Sequence, residues 1–144
     1  MEKKDWTLLA IAAAKAGPLQ PVQLQKSLFL LSQERASLVP NFYRFEPYNW
    51  GPFSKAIFED AETLEREGLI QIIRFPDRTW REYIPTEEGI RRASELTALA
   101  PNEAVAYLRL ALEWTESLSF RDLLSEIYKH YPTFRVNSLF RDPA

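Results

Sequence analysis

Apolar residues recur every three to four positions through most of this chain, and the period tightens to two in only two places. A run from Trp6 to Ala16 reads as a first helix, with Asp5 as its N-cap and Gly17-Pro18 ending it. Pro18-Leu19-Gln20 is expected to be extended. Pro21 suits the first turn of a second helix, which carries Leu24, Leu28 and Leu31, flanked by Phe29 and Leu30, and finishes near Arg35. Tyr43 and Phe45 then alternate with Arg44 and Glu46, as in a half-buried strand that Pro47 and Gly51-Pro52 keep short. A third helix is expected over Ser54 to Glu67, with Phe53, Ile57, Ala61 and Leu64 on one face.

The period changes again at Leu69. Leu69 to Arg74 is β-branched, Phe75-Pro76-Asp77-Arg78 has turn chemistry, and Trp80 to Ile84 reads as the returning strand of a hairpin. Thr86 caps a fourth helix that points Ile90, Ala93 and Leu96 inward. Beyond Pro101, a fifth helix over Asn102 to Glu116 is apolar around much of its circumference. A sixth opens on Ser119-Phe120-Arg121-Asp122, a capping-box pattern, with Phe120, Leu123, Leu124, Ile127 and Tyr131 inward.

Composition narrows the function classes. Hydrophobic residues make up 46% of the 144, enough for a real core, and the charges are interspersed. No run approaches the roughly 18 apolar residues of a membrane span. The N-terminal run leads into Lys15 and Gly17-Pro18, so it is expected to be a helix and not a signal peptide. The absence of cysteine excludes disulfides, thiolate metal sites and a thiol nucleophile, and it suits a reducing, cytoplasmic compartment. The net charge of −2 and a pI near 5.5 weigh mildly against life on nucleic acid.

Three helices, a two-stranded hairpin and a fourth helix follow the order of a winged-helix domain. Leu64-Glu65-Arg66-Glu67-Gly68-Leu69-Ile70 resembles the end of a recognition helix running into the first wing strand. Tyr83-Ile84-Pro85-Thr86-Glu87-Glu88-Gly89 resembles the second wing strand and the helix start after it. Together they resemble the PadR-like and MarR-like transcriptional regulators over about residues 5 to 98. The expected fold class is therefore mainly α with a small β-hairpin: a winged helix-turn-helix over residues 1–100, with an aromatic insert at 41–53. A C-terminal two-helix extension over 101–144 would serve packing or dimerisation. The second and third helices are separated by about eighteen residues, where the usual turn has three or four. That insert, with its Gly51-Pro52 after an aromatic loop, is similar to the SocA-type (Panacea) antitoxin domain.

Nothing assembles into a catalytic constellation, so no enzyme, cofactor or metal is expected. His130 is the one histidine, the serines lie in no nucleophile-elbow context, and the third helix's carboxylates have no metal-loop spacing. The winged-helix resemblance implies double-stranded DNA as partner. Arg74, Arg78 and Arg81 around the hairpin tip would meet phosphate, Ser54 and Lys55 would contact DNA at the third helix's start, and Glu59 would accept from cytosine. Those arginines could equally be a solvated hairpin pairing with Asp77 and Glu82. The third helix opposes DNA, since it holds two basic and five acidic residues over 54–67. The competing class is a protein-interaction module, an antitoxin or adaptor. Tyr48, Trp50 and Phe53 of the insert would then form a partner surface, although packing over the helices also accounts for them. A homodimer through Tyr107, Leu110 and Trp114 would cover the fifth helix.

Overall fold

A computed structural model describes residues 1–77 and 80–140. Among them are six α-helices and two separate two-stranded antiparallel ribbons. Helix α1 (Lys3–Ala13) begins earlier than the sequence pattern suggests. Its cap is Glu2, and Asp5 is its third residue, accepting from the Glu2 N–H at 2.8 Å in a reciprocal capping box. Helix α2 (Pro21–Glu34) starts on a second reciprocal pair, Gln20 with Gln23. It is the most enclosed element, and every residue from Leu24 to Leu31 is buried, Lys26 among them.

The expected strand at Tyr43 to Phe45 does not form. Those residues are irregular, and their alternation records burial instead of sheet pairing. The Tyr43 hydroxyl donates to Asp60 at 2.6 Å and meets Thr7 Oγ1 at 2.8 Å beneath α1. The ribbon forms just downstream: β1 (Glu46–Tyr48) pairs with β2 (Gly51–Phe53), with Pro47 opposite Pro52. Proline is tolerated because both strands are edges. Phe53 consequently belongs to this ribbon and not to the face of α3 (Lys55–Arg66).

The hairpin read from the sequence is present. Strand β3 (Ile70–Arg74) pairs with β4 (Arg81–Pro85) in the register Ile70↔Pro85 to Arg74↔Arg81. Leu19 adds a two-bond bridge to Tyr83, so the stretch expected to be merely extended braces the ribbon. At the junction, Gly68 takes φ +79°, and Thr86 donates its hydroxyl to the Gly68 carbonyl while accepting from the Gly89 N–H. Thr86 thereby ties both ribbon ends to the start of α4 (Glu87–Leu99). Gly89 presses so closely on Leu69 that an added Cβ would lie 1.9 Å from the Leu69 carbonyl oxygen. Ile90, expected inward, is exposed.

Helix α5 (Asn102–Ser117) is a wall of the main core. Ala104, Val105, Leu108 and Leu112 join side chains from α1 to α4 and from both strands of the second ribbon in one cluster. Helix α6 (Phe120–His130), capped by Ser119, closes a second cluster with Phe29, Leu30 and Ala111. Its buried face includes Tyr128, which the sequence pattern missed, whereas Phe120 is 45% exposed. A short 3-10 turn, Pro132–Arg135, returns the chain towards the first ribbon, where the Leu139 N–H reaches the Asn49 carbonyl at 2.9 Å.

Candidate docking groove

The β1–β2 ribbon is held away from the start of α2, and the space between them is a cavity of about 590 Å³. Its walls are aromatic. Tyr48 stacks on Phe53 at 5.1 Å, Phe53 meets Phe58 of α3 at 5.4 Å, and Trp50 sits edge-on to Phe120 at 5.6 Å. Trp80, next to β4, completes the lining. Tyr48, Trp50, Trp80 and Phe120 are 45–51% exposed, although each is large and apolar. Isolated exposed aromatics are ordinary, but several around one concavity mark a binding surface.

The floor is polar. Gln25 bonds the backbone of Ser54 with both ends of its amide, donating to its carbonyl at 3.0 Å and accepting from its N–H at 2.9 Å. This amide clamp fixes the turn from β2 into α3. Lys26 lies beside it, only 3% exposed, and donates Nζ to the Pro52 carbonyl at 3.1 Å. Burial pushes its ammonium down to about 7, with no carboxylate offsetting the loss of water. The ribbon's turn is shaped around this side chain. Gly51 has φ +88°, and a Cβ there would stand 3.2 Å from Lys26 Cε. Glycine at 51 is therefore required twice, by the backbone and by the lysine.

The residues expected to meet DNA are dispersed. Ser54, expected to contact DNA at the helix start, is buried at the N-cap of α3 with its N–H donating to Gln25. Lys55 and Glu59 are exposed on α3. Arg74 is forked onto Glu65, with Nη1 and Nη2 at 3.1 and 3.2 Å from the two carboxylate oxygens. Glu65 also accepts from the Ile72 N–H. The Arg74 guanidinium, helped by that N–H, holds the Glu65 carboxyl below its ordinary range, while partial burial opposes it. Arg81 lies over the Phe58 ring, its guanidinium 5.7 Å from the centroid. Arg78 lies outside the described residues. Downstream, Arg91 pairs with Glu88 and Arg92 with Glu95. Among the described residues, Arg74, Arg91 and Arg92 thus have carboxylate partners, and Arg81 has an aromatic ring.

Of the residues assigned to a partner surface, Tyr48, Trp50 and Phe53 all converge on the cavity. Sequence reasoning missed Lys26, Gln25, Phe58, Trp80 and Phe120 as parts of the same site. A lysine at position 26, amid a helix's apolar positions, was the available signal for the first of these. Tyr107 is half-buried under Arg35, whose guanidinium is 4.7 Å from the ring centroid, while Leu110 and Trp114 face outward from α5. His130 is exposed, with Nδ1 3.0 Å from the Glu126 carbonyl. Among the described residues, no cluster of three His, Asp or Glu could share a metal, and no helix is long and apolar enough to cross a membrane. No family model matches this sequence, and no curated protein matches it.

Proposed function

We propose that this chain is a protein-interaction module on a winged-helix scaffold, and that the groove between the β1–β2 ribbon and α2 seats an apolar segment of a partner protein. The observation that carries this is the half-exposed aromatic rim around a 590 Å³ cavity. Aromatic side chains that stay partly in water in the free protein gain most when a partner covers them. The winged-helix part of the reading rests on the order α1, α2, α3, β3–β4, α4, with the β1–β2 ribbon inserted between α2 and α3, and fold alone does not select DNA as the ligand. Compensation of Arg74 by Glu65 and burial of Ser54 subtract two of the groups a DNA reader would use. The similarity to the SocA-type antitoxin domain supports an antitoxin or adaptor role.

The test is selection of displayed peptides on the full chain, followed by titration of the winners using tryptophan fluorescence, to which Trp50 and Trp80 of the rim contribute. Selected peptides are expected to quench or blue-shift this emission, and Trp50→Ala is expected to weaken them at least tenfold. In parallel, low-salt gel shifts with duplex DNA should show no retention. Salt-sensitive retention abolished by Arg78→Ala, together with peptide binding indifferent to Trp50→Ala, would replace this reading with DNA recognition.

A further inference from the structure

The groove's floor specifies the chemistry of what fills it. An ammonium has three donors and no acceptor. Lys26 uses one on Pro52, and no second acceptor for its Nζ stands among the described residues. The neighbouring Gln25 amide bonds the Ser54 backbone with both its ends and makes no bond to Lys26. Tyr48 is the other titratable side chain in the lining, and no carboxylate belongs to it. A mostly apolar cavity with one unpaired cation at its base is complementary to an apolar group carrying a negative charge.

We propose that the segment docking in this groove presents a carboxylate to Lys26 Nζ, an Asp, Glu or C-terminal carboxyl set beside an aromatic or aliphatic anchor. The inference rests on the docking function proposed above and adds the partner's charge to it. Three features of the site fit this occupant. The aromatic rim takes the anchor and excludes water, which strengthens an ion pair beneath it. Gly51, with no Cβ to crowd the lysine's Cε at 3.2 Å, lets the ribbon's turn hold Lys26 at the base of the cavity. The free lysine, lowered by burial, recovers a full charge when a carboxylate arrives, so binding takes up protons above neutrality. No charged group from the elements packed against α2 contributes to that lowering; loss of water is its sole cause.

The experiment runs the peptide selection twice, on wild type and on Lys26→Met, with circular dichroism confirming that both are folded. With wild type, an acidic residue at constant spacing from the apolar anchor should be enriched; with Lys26→Met, the anchor should remain and the acid should disappear. Resynthesised winners and their Glu→Gln or Asp→Asn twins should differ at least tenfold on wild type and not at all on Lys26→Met. Affinity for wild type should also fall between pH 7 and pH 9, approaching tenfold per pH unit. Winners that depend on Trp50 but show no acidic preference, or a preference that survives Lys26→Met, overturn this inference and leave the docking function standing. Winners that ignore Trp50 overturn both. Acid-selective binding of 3-phenylpropionate over its amide, with no peptide captured, makes the cavity a small-acid site and removes the docking segment.

Discussion

The two ribbons of this molecule carry opposite electrostatic arrangements. Around β3–β4, charge is met by charge within the chain: Arg74 forks onto Glu65, and Arg91 and Arg92 have glutamates one turn away. Around β1–β2, a buried lysine faces an aromatic cavity with a single carbonyl for company. Among the described residues, the charge of Arg74 is met within the chain, and that of Lys26 is not. An exposed guanidinium beside a carboxylate adds no net positive charge to draw a phosphate. A desolvated ammonium beside empty apolar volume carries a standing cost that a suitable partner removes.

The largest effect that could break this contrast is measurable on the unliganded protein. Lys26 sits near 7 when folded and near 10.5 when unfolded, so the unfolded chain binds more protons throughout that interval. Wild-type stability should therefore rise with pH from about 7 upward, because the penalty is full below the folded value and fades towards the unfolded one. Lys26→Met, apolar and similar in length, lacks the penalty. Its advantage should be on the order of 5 kcal/mol at pH 6, by the usual conversion of pKa shift to free energy, and should shrink steadily by pH 9.5. Denaturant melts of both proteins at pH 6, 8 and 9.5 read this directly. An advantage that does not vary with pH means that Lys26 reaches solvent, and the groove then has no unmet charge.

A somewhat smaller effect tests whether the other ribbon is as finished as its geometry implies. Gly89 leaves no room for a side chain against the Leu69 carbonyl, and that contact seats β3 on α4. Gly89→Ala should cost about 3 kcal/mol, a drop of roughly 10 °C in Tm, through forced displacement of backbone. Peptide binding at the groove, measured below the lowered melting point, should be unchanged. A neutral substitution would show that the ribbon is loosely seated. Lost peptide binding would show that the two ribbons are not independent.

The order of helices and the β3–β4 ribbon were legible because their signals are local: a 3.6-residue period, Gly68 at a helix end, Thr86 three residues before Gly89. The β1–β2 ribbon was not. Its strands hold three residues each, with a proline in both, and alternation at Tyr43 and Phe45 imitated a strand that lies elsewhere. The same limit governs the site. Tyr48, Trp50 and Phe53 could be picked out as a dense aromatic set, but Phe58, Trp80 and Phe120 come from distant parts of the chain and join them only through tertiary packing. Arginines at the hairpin read as available because Glu65 lies nine residues before Arg74, in another element, and only the turn at Gly68 brings the two together.

The smallest effect bears on that last pair. Arg74→Gln removes a guanidinium that is half exposed, and Tm should barely move, because solvent screens such a pair. The Glu65 carboxyl should nevertheless respond. Arg74 is the principal cause of its depressed titration, and the Ile72 N–H sustains part of the lowering, so the substitution should raise the value only part of the way to the ordinary carboxylate range. Side-chain carbon NMR across an acid titration of wild type and Arg74→Gln resolves this. In wild type, the stability that the pair supplies is present above the unfolded carboxylate's range and is lost as pH falls through the depressed folded value; in the variant, most of that acid-side dependence should vanish. A Glu65 titration that is identical in both proteins means the fork does not persist in solution. Arg74 would then be free to meet a phosphate, and the β3–β4 ribbon would regain its claim as the working surface.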